Sequence, residues 1–204
     1  MIAIIDYGMG NLRSVQRKFD KLGEENVVTS DVEIIMKADK LVLPGVGHFA
    51  EGMKNLTNRG LIDVLNTKVI VNQTPILGIC LGMQLLSEFS EEGGCKGLGL
   101  INAKTVLFKF DEFIKPLKIP HMGWNSIVIE KNSPLMNGIA NDEMFYFVHS
   151  YHVVCQNNED ILCSNTYGIT FTSAIQHGNI FGTQFHPEKS HDAGIQLLKN
   201  FCEF

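Results

Sequence analysis

Four short apolar runs constrain this chain more than any other feature. Ile2 to Asp6, Val27 to Ser30, Leu41 to Pro44 and Pro75 to Ile79 are too short for buried helices and suit strands. Helical spacing fills the intervals. Leu12, Val15, Phe19 and Leu22 mark a helix over 11–22, a second helical region covers 49–66, and a third runs over 81–88. Asp31 is placed to cap a helix after the second run. Short apolar strands alternating with helices predict a parallel sheet covered on both faces.

The second half changes style. Strands are predicted over 125–130, 144–154, 171–176 and 179–184, without long helices between them. His177-Gly178-Asn179 reads as a hairpin turn, and a last helix covers 192–201. The expectation is one α/β domain over residues 1–204, with a central, mostly parallel but mixed sheet flanked by helices.

Composition narrows the partners. With 204 residues, 45% of them hydrophobic, the chain can bury one sizeable core and is short for two. A net charge of −5 without a basic cluster argues against nucleic acid. Met1 runs directly into IAIID with no secretion-signal pattern, and no apolar run approaches the roughly 20 residues of a membrane span. A cytoplasmic protein that engages neither membrane nor nucleic acid is expected. Cys80, Cys95, Cys155, Cys163 and Cys202 form no CxxC pair and are odd in number, which argues against a zinc site or a disulfide framework.

Two glycine turns stand out. Gly8 and Gly10 follow the first strand, but a dinucleotide fingerprint needs a third glycine where Arg13 stands, and no GxxxxGK[ST] occurs. A tight strand-to-helix turn is the plainer reading. Pro44-Gly45-Val46-Gly47 ends the third strand at the carboxyl edge of the sheet, where open α/β folds place ligands. Its glycines allow peptide N–H groups to face a cavity, although in isolation an ordinary turn is the simpler account.

The stretch GICLGMQLL, 78–86, carries chemistry. A strand ends at Ile79 and a helix begins near Leu81, so Cys80 falls on the sharp turn between them. This is a G-x-C-x-G form of the nucleophile elbow. A helix start favours thiolate over thiol, and the Leu81 N–H would face a developing oxyanion. A lone cysteine is otherwise often a small inert core residue. A nucleophile attacking an amide also needs a base that can protonate the leaving nitrogen. In FGTQFHPEKS, 181–190, His186 and Glu188 sit two apart. If the segment is extended, both leave one face, and Glu188 can orient the imidazole. His48, His121 and His149 lie near motifs but lack that arrangement.

GxCxGxQ together with HPE resembles the class I (triad) glutamine amidotransferases. DYGMGNLRSV, LPGVGHF, GICLGMQLL, HMGWN (121–125), FYFVHSYH and QFHPEKS, in that order across almost the whole chain, further resemble the glutaminase subunits of imidazole glycerol phosphate synthase. The resemblance implies the class I amidotransferase fold and hydrolysis of L-glutamine to glutamate and ammonia by a Cys80–His186–Glu188 triad. It implies an oxyanion hole from the N–H of Leu81 and an N–H of the Gly45-Val46-Gly47 segment, with Val46 and Gly47 the donors in question. Gly45, Gly47, Gln84, Ser150 and Tyr151 would hold glutamine, and Glu92 would meet its amino group. The family works as a heterodimer with a (β/α)8-barrel cyclase that receives the ammonia and makes imidazole glycerol phosphate and AICAR. Met122, Trp124, Tyr146 and Lys189 would lie at that interface. No cofactor and no metal are implied.

Three rivals share parts of this pattern. A paralogous amidotransferase could supply ammonia for surface-sugar amination. A silent scaffold could only bind and regulate a barrel partner. A different thiol hydrolase, such as a peptidase, could use a similar elbow.

Overall fold

The computed structural model describes residues 1–110 and 117–204. The first half alternates as the apolar runs require. β1 (Ile2–Ile5) leads to α1 (Leu12–Leu22), β2 (Asn26–Thr29), α2 (Val32–Lys37), β3 (Lys40–Gly45), α3 (Phe49–Asn58), α4 (Leu61–Asn66), β4 (Ile76–Cys80) and α5 (Leu81–Leu85). Asp31 caps α2, its carboxylate accepting from the N–H groups of Glu33 and Ile34. The predicted helix over 49–66 is two helices, because Gly60 adopts a left-handed conformation between them.

The second half is strand-rich. β5 (Phe89–Ser90), β6 (Cys95–Lys96), β7 (Ala103–Leu107), β8 (His121–Ser126), β9 (Val128–Ile129), β10 (Met144–His149), β11 (Tyr151–Cys155), β12 (Ile161–Tyr167), β13 (Ile169–His177) and β14 (Ile180–Thr183) precede α6 (His191–Glu203). Among the described residues, twelve strands form one sheet with the path β2-β1-β3-β4-β14-β13-β11-β7-β5-β6, joined at β13 by β12 and, through it, β9. Pairing is parallel from β2 to β14 and largely antiparallel beyond, so the sheet is mixed. β8 and β10 form a separate two-stranded ribbon.

The sheet buries one core on each face. Ile5, Leu43, Phe49 and Leu85 lie in one, and Ile4, Val42, Phe181 and Phe201 in the other. Burying each such side chain is worth about 1.5–3 kcal/mol. The parallel segment is apolar on both faces for this reason, and Ile76 to Cys80 is buried at every position. No helix among the described residues is long and apolar enough to cross a membrane.

The predicted single strand over 144–154 is two strands in two sheets. The chain leaves the ribbon at His149 and enters the main sheet at Tyr151, so Ser150 sits at the crossover. β7 and β12 were not expected. Their buried faces carry Thr105, Ser164 and Asn165, which blur the apolar signal.

Candidate active site

Cys80 ends β4 and opens α5 with φ +54° and ψ −109°, a region that non-glycine residues rarely occupy. Such strain costs on the order of 1–3 kcal/mol and persists where the surroundings hold it. Here the hold is steric. A Cβ on Gly82 would sit 1.7 Å from the Leu43 carbonyl oxygen, and one on Gly78 would sit 2.7 Å from the Met83 nitrogen. Two glycines therefore let α5 lie backbone-to-backbone on β3 and β4, and the turn between is forced into the elbow. With only five residues, α5 has a small dipole. Its contribution is the free N–H groups of the first turn.

His186 follows β14, at the start of a 3-10 turn over Pro187–Lys189. The segment is not extended, as the sequence suggested. The turn itself folds Glu188 back, and its Oε1 lies 2.8 Å from His186 Nδ1 with both side chains buried. Ser190 fixes this turn to the ribbon. Its hydroxyl donates to the His186 carbonyl and accepts from the Tyr146 N–H, while the His186 N–H donates to the Tyr146 carbonyl. His186 Nε2 is buried without a hydrogen-bond partner. Burial disfavours the imidazolium, but the neighbouring Cys80 sulfur and Glu188 carboxylate outweigh it and push the imidazole up to about 10.

A cavity of about 290 Å³ opens beside the sulfur. It is lined by Val46, Gly47, Cys80, Leu81, Gln84, Glu92, Ser150 and Tyr151, with Pro120, Val148 and His149 completing the wall. That volume is at the small end of ligand sites. Glu92 spends one carboxylate oxygen on the Phe49 N–H at the start of α3. Gly45 is not among the lining residues. It pairs with Cys80 in the sheet, and a Cβ there would meet the buried Tyr7 hydroxyl at 2.2 Å. A larger groove, about 810 Å³, lies elsewhere against β11, β12 and β13 and is lined by none of the residues expected to form the triad, the oxyanion hole or the glutamine site.

Met122, Trp124, Tyr146 and Lys189 gather on another surface. Trp124 and Tyr146 are paired across the ribbon and meet edge to face, and Lys189 Nζ lies 5.4 Å from the Tyr146 ring centre. Trp124 also stacks on His191 at 4.8 Å. Met122 is 65% exposed and Trp124 43%. Trp124 is thus not a core residue.

Sequence reasoning passed over Gln184 and treated His121 and His149 only as weak candidates. Gln184 is fully buried and its amide nitrogen lies 3.7 Å from Cys80 Sγ. His121 and His149 are cross-strand neighbours whose rings share a 3.0 Å hydrogen bond. The available signal for His121 and His149 was a polar residue within a strand next to the motifs. Among the described residues, no group of three or more His, Cys, Asp or Glu is arranged to hold a metal ion.

The family model described as "Glutamine amidotransferase class-I" matches residues 3–203. Imidazole glycerol phosphate synthase subunit HisH 2 of Methanococcus maripaludis is 53% identical over 203 residues, covering 100% of this chain and 99% of the relative. The HisH subunit of Sulfurimonas denitrificans is 49% identical, covering 100% and 98%. A solved glutamine amidotransferase superposes with a TM-score of 0.77 at 18% identity, covering 100% of this chain and 98% of that one, and shares the fold. The chain belongs to the class-I glutamine amidotransferases, among the HisH subunits of imidazole glycerol phosphate synthase.

Proposed function

We propose that residues 1–204 act as one glutaminase unit that hydrolyses L-glutamine and passes ammonia to a (β/α)8-barrel cyclase in histidine biosynthesis, in the cytoplasm. The observation that carries this reading is the buried His186–Glu188 hydrogen bond beside a cysteine held on a strained elbow. In the proposed cycle, Cys80 as thiolate attacks the side-chain carboxamide carbon. The oxyanion takes the Leu81 N–H and an N–H from Val46 or Gly47. His186, oriented by Glu188, protonates the departing nitrogen, and ammonia leaves. His186 then takes a proton from water as it attacks the thioester, and glutamate departs with the Cys80 thiolate and the His186 imidazolium regenerated.

Gln84 has both N–H groups engaged internally, so its carbonyl oxygen is the atom left for the substrate amide. Ser150 and Tyr151 line the cavity at the crossover, and the free oxygen of Glu92 suits an ammonium. A Gly45–Val46 or Val46–Gly47 peptide that turns its N–H into the cavity only on partner binding would spare glutamine at rest. One oxyanion donor is typically worth about 100- to 1,000-fold. The exposed Met122–Trp124–Tyr146–Lys189 face suits docking on the barrel, since aromatic and basic groups anchor interfaces. The names of the relatives support the histidine-pathway cyclase over a sugar-amination partner.

The test is glutamate release by the chain alone, then with the cyclase subunit and its ribulosyl aminoimidazole carboxamide nucleotide. A low basal rate that rises strongly only with both supports the reading. No rise, with Cys80 still alkylatable, moves the ammonia to another acceptor. No glutamate under any condition overturns the glutaminase.

A further inference from the structure

We infer that Gln184 is a further catalytic residue, its side-chain amide N–H donating to the Cys80 sulfur in the thiolate state. The inference deepens the glutaminase reading and rests on it for the reaction, but not for the contact. Gln184 directly follows β14, is fully buried, and places Nε2 3.7 Å from Sγ, an ordinary distance for an N–H to sulfur.

What makes this a donor is a chain of hydrogen bonds whose direction is set by one backbone oxygen. The Tyr151 carbonyl can only accept. It takes a hydrogen bond from Gln84 at 3.0 Å, so Gln84 presents its NH2 there. The same nitrogen lies 3.0 Å from the other oxygen-bearing end of the pair, Gln184 Oε1, and donates to it. Gln184 must therefore turn its own NH2 to the sulfur. The flipped amide would set two NH2 groups face to face and aim an oxygen at a thiolate.

The far side of the node is equally determined. His149 Nδ1 lies 2.8 Å from the Tyr151 carbonyl and must carry the proton. His149 Nε2 then accepts from His121 Nδ1 at 3.0 Å. One carbonyl thus sets two imidazole tautomers and two amide orientations, and the sequence ends on the nucleophile.

The sulfur needs such a donor. As a thiol, Cys80 points at the Val148 carbonyl, 3.8 Å away. Loss of the proton turns that contact repulsive, and the Gln184 N–H offsets it. The same N–H stabilises the sulfur as a leaving group when the thioester is hydrolysed. Other titratable groups around the sulfur are His186, backed by Glu188, the buried hydroxyl of Tyr7, and His149, Glu92 and Tyr151, which line the same cavity.

The test is the pH dependence of Cys80 alkylation by iodoacetamide, read by mass spectrometry on the Cys80 peptide of the full chain. Wild type, Gln184→Met and Gln184→Glu are compared, each with its thermal midpoint. Loss of a hydrogen bond to a charged group shifts the profile upward by about one to two pH units in Gln184→Met, and further in Gln184→Glu, where a carboxylate replaces the donor. With the cyclase present, kcat falls about 10- to 100-fold while KM for glutamine stays near wild type. A residue that only fills space would leave both profiles at wild type, and that result overturns the inference. If neither variant folds, the side-chain amide signal of Gln184 in the wild-type chain decides. It shifts on Cys80 ionisation if the contact is made, and its constancy through that titration is equally contrary. Because alkylation needs no glutamine turnover, failure here is distinct from failure of the glutaminase reading.

Discussion

His149 and His186 are both buried, lie within electrostatic reach of each other, and are tuned in opposite directions. Burial dominates at His149 and pushes it down to about 3, and His121 behind it to about 4. The same burial acts on His186, yet the Cys80 sulfur and the Glu188 carboxylate raise it to about 10. Desolvation is common to both sites, and the partner decides the outcome. A neutral pair passes hydrogen bonds along with fixed tautomers. A charged imidazole beside a sulfur is equipped to hold an ion pair and then surrender its proton. The two histidines, one ending β10 and the other just after β14, differ in access to an anion.

Removing the anions should erase the difference, beginning with the largest effect. Cys80→Ala should lower glutaminase kcat about 10,000-fold or more, and NMR titration should show His186 falling while His149 stays. Glu188→Gln should cost about 100- to 10,000-fold in kcat by loss of the oriented tautomer, with His186 moving toward the behaviour of His149. A Glu188→Gln variant of near wild-type kcat would remove the carboxylate from the account.

Stability should respond to pH with two arms of opposite sign. The folded value of His186 lies above the ordinary 6.5. Its charged form therefore contributes stability that is present below pH 6.5 and lost as pH rises toward 10. The folded values of His121 and His149 lie below 6.5. Their neutral forms contribute stability that is present above pH 6.5 and lost as pH falls through about 4 to 3. Urea denaturation across pH should show both losses, with the alkaline arm flattened in Glu188→Gln. The smallest effect is expected from His149→Leu. It should cost about 1–3 kcal/mol of stability by leaving its partners short of a hydrogen bond, and should flatten the acid arm.

The two halves of the chain differ in what the sequence discloses. The parallel half was legible because its strands are apolar on both faces and its turns are punctuated by glycine. Gly78 and Gly82 mark the elbow for a reason that can be stated in ångströms. The antiparallel half was legible only in part. Ser150 divides two strands that read as one, since nothing local distinguishes a crossover between sheets from a polar residue within a strand. The His186–Glu188 pairing was anticipated, but for an extended chain, whereas a 3-10 turn stiffened by Pro187 makes the contact. Gln184 was invisible because its role depends on Gln84 and Tyr151, which are remote in sequence and meet only when β14, α5 and β11 pack together.

The most direct measurement is a pH titration of the His186 ring by NMR in the wild-type chain, with Cys80→Ala alongside. The expected result is an imidazolium that persists through pH 9 in the wild type and loses its proton at lower pH once the sulfur is gone. A ring that is already neutral at pH 7 beside an intact Cys80 would contradict the account, because the nucleophile and its acid would then have no charge to share.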